Sequence, residues 1–524
     1  MKILTIRWTW FRFLFILILI LGINFRFINL DKKVYWHDEV HTSIRMSGYA
    51  DNDILEVFSG EVLTPNEVLR LQSPTPEKDW QDVFQVLSRS PEHPPLYYIL
   101  ARYWVLLFGA SVSSIRALSA IISLLVFPGL YWLCWELFRS NKIGLMAIIL
   151  VSVSPFHVLY AQEAREYSLW TVLVLLSSAA LLRAINIQKT DSNFVNTLPA
   201  WSLYTITLTL GLYTSLLSGA VGISYGIYMI LLERFRLTKC FLNFIIASFV
   251  AALLYIPWVM QIVNNYAEMQ HQTSWMSGTK PIIELIGRWE LNFSSIFIDI
   301  HPSINYWIIP RISILFFFAI GYAVYRLYRH SSKQARLFII TLITIPALAL
   351  IIPDIIPGGQ RSVNARYYVP SYIGIQISVA YLLCHANWIN RKIRPFILPL
   401  ILSFGIISCL ISAQSETWWT KSASYNNAEA ATIINQFDSP LLISDTNQIN
   451  VGNLISLTHK LDSKVRLQFV LKSNIPQIPD GFNPILLYNP SNTLTSGIEQ
   501  QYNWVINPVE NSNAPLYQVK QPLN

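Results

Sequence analysis

The chain alternates between long stretches without charge and short polar connections. Apolar runs fall at roughly 11–30, 115–138, 143–159, 167–187, 199–215, 217–233, 240–260, 305–328, 335–353, 367–387 and 394–413. Most approach the length of about 20 residues that a helix needs to cross a bilayer. Within 167–182, 199–232 and 240–260 there is no Asp, Glu, Lys or Arg at all. After Ser412 the pattern changes. Strand-like runs at 440–445, 465–470, 484–488 and 504–506 are accompanied by helix-like stretches around 424–437 and 450–460. That alternation predicts a small α/β domain. The expected fold is therefore a polytopic α-helical membrane protein of about eleven transmembrane helices. A transmembrane module over 1–413 would precede a C-terminal α/β domain over 414–524.

The connections are of two kinds. Arg139/Lys142, Arg234/Arg236/Lys239, Arg326/Arg329/Lys333/Arg336 and Arg391/Lys392/Arg394 form short basic loops, which the positive-inside rule assigns to the cytoplasm. The segments 31–114, 160–166, 261–304 and 354–366 are richer in acids, amides and aromatics and fall on the other side. Strict alternation then places the N-terminus inside and the C-terminal domain outside. One further apolar stretch, 94–108, carries Arg102 at its centre and begins with Pro94-Pro95. It is too short for a span and reads as a helix lying in or dipping into the outer leaflet. The N-terminus resembles a signal sequence but offers no small-x-small cleavage site after Leu21, so it reads as an uncleaved first span.

Composition agrees with this class. The chain of 524 residues is 53% hydrophobic and 13% charged, with a mean hydropathy of +0.40. No soluble protein of this length could bury so much apolar surface. The net charge of +8 comes from the basic loops and is not a nucleic-acid footprint. Cys134, Cys240, Cys384 and Cys409 sit in or at the ends of apolar runs, without disulfide or metal spacing.

Four polar sets fall on the outer side. They are Trp36-His37-Asp38-Glu39 with His41; Glu92-His93 before Pro94-Pro95; Gln162-Glu163-Ala164-Arg165-Glu166-Tyr167; and Arg361 with Arg366-Tyr367-Tyr368. Each has an ordinary explanation. His93 could shape a turn, the 163–166 set could be an interfacial ion cluster, and Arg366 with its tyrosines fits an aromatic-basic belt. His37 and His41 have a spacing that puts both on one helix face, yet a third metal ligand is not evident. Their collection at the ends of different spans, where ionisable groups are costly, points instead to function.

These residues also carry a resemblance. Trp-x-Asp-Glu after the first span resembles glycosyltransferase family 39, within the GT-C membrane glycosyltransferases. So do His93-Pro-Pro-Leu-Tyr-Tyr, Ile115-Arg-Ala-Leu-Ser-Ala, the run from Ser154 to Tyr167, and Ala365-Arg-Tyr-Tyr-Val-Pro. The resemblance is strong over about 1–190 and weak in the terminal domain. It implies transfer of a sugar from a polyprenyl-phosphate-linked donor to a glycan, lipid or protein acceptor outside the plasma membrane, by an inverting displacement. Asp38 would be the catalytic base. Glu39 would shape the acceptor site or hold Asp38 in place. Glu92 and His93 would lie near the donor, and Glu163, preferred over Glu166, would supply a second acidic position with Arg165 paired to Glu163. Arg366, with Tyr367 beside it, would clamp the phosphate, Arg361 being the second choice.

The chemistry is consistent with one base and fixed positive charge. A phosphate with a second pKa of about 6 can depart without a dedicated acid, whereas a glycosidase presents two carboxylates in acid and base roles. No cofactor is called for with certainty, and a divalent metal stays open. The alternative is a transporter or flippase of lipid-linked sugars, which would carry mid-span charges and repeated halves; neither is seen. Segments 42–92 and 261–304 contain no chemistry legible at this level. The C-terminal domain is expected to hold the acceptor or cover the site without supplying any of the chemistry.

Overall fold

The structure is a computed structural model. It describes residues 2–190, 193–300, 309–385, 392, 394–447, 449–472, 474–510 and 512–520. Packing divides the chain into two compact units. One comprises Met1–Ile28, Ser88–Tyr97 and Arg116–Ala413; the other comprises Asn29–Leu87, Tyr98–Ile115 and Gln414–Asn524.

The first unit is helical. The predicted apolar runs fall on Lys2–Phe27, Val112–Phe138, the pair Asn141–Ser152 and Pro155–Ala161, Tyr167–Thr190, Phe194–Leu212, Ser218–Leu232, Lys239–Asn264, Ile309–His330, Lys333–Pro353, Val369–Cys384 and Arg394–Gln414. The start of the 305–328 run and Arg391 lie outside the described residues. Among the described residues, six helices are long and apolar enough to cross a membrane, or seven if the bent pair is one span. The count of about eleven thus includes shorter helices such as Ser218–Leu232, of 15 residues, and Val369–Cys384, of 16. These fall below the length of about 20 residues that a full crossing needs.

The bent pair has an identifiable cause. Pro155 has no N–H to donate and disfavours helical geometry in Ser154 before it, and the two halves meet at 64°. Neighbouring helices come close enough to hold the break. A Cβ on Gly405 would stand 2.5 Å from the carbonyl oxygen of Val153, and Gly22 packs as tightly on the carbonyl of Ser152. Arg26, buried, donates from Nη1 to the carbonyls of Gly22 and Ser152 and from Nη2 to that of Val151. Gln162 Nε2 in return donates to the carbonyls of Phe25 and Ile28, each at 2.8 Å. Two helix ends left with orphan carbonyls are therefore satisfied by each other's side chains. Ile18, Phe25, Ile149, Val153, Val158 and Leu402 form the apolar core around them.

The second unit contains a six-stranded sheet of β1 (Ser59–Leu63), β2 (Leu441–Asp445), β3 (Arg466–Val470), β4 (Ile485–Tyr488), β5 (Val505–Pro508) and β6 (Leu516–Lys520). The order is β1-β3-β2-β4-β6-β5, with β2 parallel to β3 and β4 and the other pairs antiparallel. The central β2 and β4 are buried throughout, as continuous apolar runs require. Four of these strands coincide with the strand-like runs of the sequence. β6 and the helix Asn492–Tyr502 were not foreseen, and neither was β1, which comes from 31–114 and pairs Val62 with Gln468. Assignment of 31–114 to the helical module is thereby revised. By packing, 29–87 and 98–115 go with the C-terminal residues, because a lone strand in a loop has no partners except at a sheet edge.

Helix Leu96–Phe108 is 13 residues long. It exposes Leu100, Tyr103, Leu106, Leu107 and Phe108 and turns Arg102 inward. The guanidinium donates to the carbonyls of Met46 at 2.9 Å and Lys78 at 2.5 Å, and lies over the Trp80 ring. An arginine at the centre of an apolar run is accommodated here because its guanidinium is taken up by two carbonyls and an aromatic ring.

Candidate active site

In the sheet-containing unit, Asp38 stands in the first turn of helix His37–Ser47, where the unpaired N–H groups favour negative charge. Asp38 is half-buried, whereas Glu39 is fully buried. Glu39 Oε2 accepts from the Trp36 N–H at 3.4 Å and from Lys421 Nζ at 3.4 Å. The side chain of Lys421 is 1% exposed, and its ammonium lies over the Trp36 ring, 5.3 Å from the centroid. The start of the helix is tied to the chain beyond Ala413 at two backbone points. Val34 N–H donates to the Glu416 carbonyl at 2.8 Å, and His37 N–H donates to Ser424 Oγ at 3.1 Å. His37 and His41 meet edge to face, centroids 4.5 Å apart, over Gly452, where an added Cβ would stand 2.5 Å from His37 Nδ1. Only glycine fits beneath that pair.

The Glu39 carboxylate is thus enclosed between the Trp36 N–H and Lys421. A carboxylate sealed against a lysine is poorly available to an acceptor. Lys421, Ser424 and Gly452, all beyond 413, pack on the helix that carries Asp38. A lysine shortly after the last apolar run was the only sequence signal for this. Among the described residues, no group of three or more His, Cys, Asp or Glu side chains is gathered as metal ligands.

In the helical unit, Glu92 Oε1 lies 3.7 Å from His93 Nε2, and both side chains are partly exposed. The next turn is anchored, because Trp258 Nε1 donates to the Pro91 carbonyl and Leu96 N–H to that of Tyr213. Tyr97 then bonds Ser119, whose hydroxyl reaches the carbonyl of Arg165. The segment after the bent pair carries Glu163, Arg165 and Glu166, all buried, with Arg165 Nη2 at 3.2 Å from Glu166 Oε1. Here Arg165 meets Glu166. Arg165 also faces the Tyr167 ring at 5.7 Å, and Arg366 faces the same ring at 5.6 Å and that of Tyr367 at 5.6 Å. Two guanidinium groups distant in sequence thus converge on one aromatic side chain, an arrangement that cation–π attraction supports.

Arg361 is placed differently. Its N–H and Nη1 both contact Asp354 Oδ1, and Ser362 N–H and Oγ take Oδ2. Its charge is matched by a buried carboxylate, and the pair organises the turn. The turn is fastened from 261–304, where the sequence showed no chemistry. Trp289 Nε1 donates to Ser362 Oγ, and Asn292 donates to the carbonyls of Ser362 and Val363. Tyr368 donates to the Ser362 carbonyl.

Comparison with solved structures defines the fold. The chain is similar to ArnT from Cupriavidus metallidurans bound to undecaprenyl phosphate, with 11% identity, 98% of each chain covered and a TM-score of 0.55. It is also similar to the apo state of that protein, with 12% identity, 82% of this chain and 87% of that one covered, and a TM-score of 0.51. The apo oligosaccharyltransferase of Archaeoglobus fulgidus is similar at 13% identity and a TM-score of 0.50; this chain, 88% covered, spans 64% of its length. The fold is the one these solved structures share. A family model described as dolichyl-phosphate-mannose-protein mannosyltransferase matches residues 92–260. No curated protein sequence matches the chain.

Proposed function

We propose that this protein moves a sugar from a polyprenyl-phosphate-linked donor to an acceptor hydroxyl on the extracytoplasmic side of the plasma membrane, with inversion. The observation that carries the reading is the convergence of Arg165 and Arg366 on Tyr167, beside the buried acids Glu163 and Glu166. Fixed guanidinium groups in a partly dry setting suit a phosphate that gains charge as it leaves. Arg366, flanked by Tyr167 and Tyr367, is the phosphate clamp, and Arg165 supports it while paired with Glu166.

In the displacement, Asp38 takes the proton of the acceptor hydroxyl as its oxygen forms a bond to the anomeric carbon. The bond from that carbon to the phosphate oxygen breaks, and the electron pair leaves with the lipid phosphate. Glu39 keeps Asp38 oriented. Glu92 and His93 contact the donor sugar or its phosphate, and Glu163 is the preferred second acidic group. Family relationship supports this assignment of roles, and the half-buried setting of Asp38 at a helix N-terminus suits a base.

The test is transfer in proteoliposomes supplied with polyprenyl-phosphate-linked sugars and with cell-envelope glycans, lipids or peptides as acceptors. Product formation that depends on the lipid-phosphate donor and ceases in Asp38→Asn supports the reading. Lipid-linked sugar crossing the bilayer without any covalent product would replace it with the transporter reading.

A further inference from the structure

We infer that Lys421, from the C-terminal part of the chain, is a positioning residue for Asp38, acting through its buried ion pair with Glu39. The inference rests on the reading of Asp38 as the base. Three observations carry it. The pair is sealed, with the Lys421 and Glu39 side chains 1% and 0% exposed and 3.4 Å between Nζ and Oε2. Glu39 Oε2 also takes the Trp36 N–H, so the same carboxylate closes the N-terminus of the helix that presents Asp38 one residue earlier. Lys421 lies over the Trp36 ring, and Ser424, three residues on, receives the His37 N–H. Residues 36, 37 and 39 are thus each held by the Trp419–Ser424 turn, and Asp38 has little freedom left.

The electrostatics give the pair a second task. Glu39 is a like charge beside Asp38, and unneutralised it would make ionisation of the base harder. Lys421 cancels that charge in a setting where breaking a pair strands an ion, although replacing both partners together can be nearly neutral. Other charged or titratable groups around the helix include His37, His41 and the half-buried Arg45 on it, and His459 beyond Asn450–Thr458, whose ring packs on Tyr35 and bonds Gln72; Arg70 on the adjoining turn is exposed. Substitutions confined to Glu39 and Lys421 leave all of these in place, so differences among such variants report the pair.

The experiment compares full-length Lys421→Met, Lys421→Arg, Glu39→Gln and the double variant Glu39→Gln/Lys421→Met. Thermal unfolding in detergent, kcat, donor KM and the pH profile of kcat are measured for each. Lys421→Met is expected to lower kcat about 50-fold with donor KM changed less than about threefold. It should also move the acid limb upward, because an unneutralised Glu39 keeps Asp38 protonated to higher pH. Lys421→Arg should keep the limb in place and recover much of kcat. The double variant, neutral at both positions, should restore the limb and regain at least about tenfold in kcat over Lys421→Met. A double variant that folds but stays as inactive as Glu39→Gln overturns the inference, because Glu39 would then act in the chemistry itself. Wild-type kcat and pH profile in Lys421→Met overturn it too. If Lys421→Met fails to fold, Lys421→Arg and the double variant still decide. Full activity in Asp38→Asn would instead remove the underlying reading, whatever the Lys421 variants show.

Discussion

Arg26 Nη1 donates to the carbonyl oxygen of Ser152 at 2.8 Å, across 126 positions of sequence. With Gln162 reaching back to Phe25 and Ile28, this bond locks the end of the first helix to the break that sets up Glu163 and Arg165. Arg26→Met should lower stability by on the order of 2 kcal/mol, the loss of charged hydrogen bonds being partly offset by removal of a buried ion. Gln162→Leu should cost less, as its donor is neutral. Thermal unfolding in detergent measures both. An unchanged melting temperature in Arg26→Met would mean that the bonds only cancel the desolvation of the guanidinium.

Asp38→Asn preserves size and removes the proton acceptor. Turnover should fall by a factor of about 100 or more, the scale of general-base catalysis, while donor binding and melting temperature stay near wild type. Donor binding by the purified variant and product formation are the two readouts. Retained turnover would move the base to another carboxylate.

Arg366→Ala should raise donor KM or lower kcat/KM by about 2–4 kcal/mol if the contact is desolvated. Arg366→Lys should recover part of that, since lysine restores the charge and not the forked geometry. Arg361→Lys should behave close to wild type in donor kinetics. Titration of the donor at fixed acceptor separates the three, and equal donor kinetics in Arg366→Ala and wild type would reduce Arg366 to a belt residue.

The basic loops assign sides, and that assignment can be measured. Single cysteines near Gly60, Ser277 and Gly481 should react with an impermeant thiol reagent from outside intact cells, and one near Ser332 should react only after permeabilisation. A probe near Gly60 and one near Gly109 that label from opposite sides would make 94–110 a true crossing and reverse the orientation of every helix C-terminal to it.

Sequence by itself determined the class and most of the secondary structure, because long apolar runs in a bilayer have few other solutions. It also located the acids, histidines and arginines at the ends of helices, since charge tolerated beside apolar runs is conspicuous. What it could not give were partnerships between distant positions. Nothing in Ser59–Leu63 announces an edge strand until β3 is beside it, and nothing in Lys421 marks it as the partner of Glu39. The sequence ranked Arg366 ahead of Arg361 without showing their surroundings, in which Asp354 pairs with Arg361 while Tyr167 and Tyr367 flank Arg366. Patterns of hydropathy report what each segment needs from its surroundings, and ion pairs, aromatic contacts and strand edges depend on which segments the tertiary structure brings together.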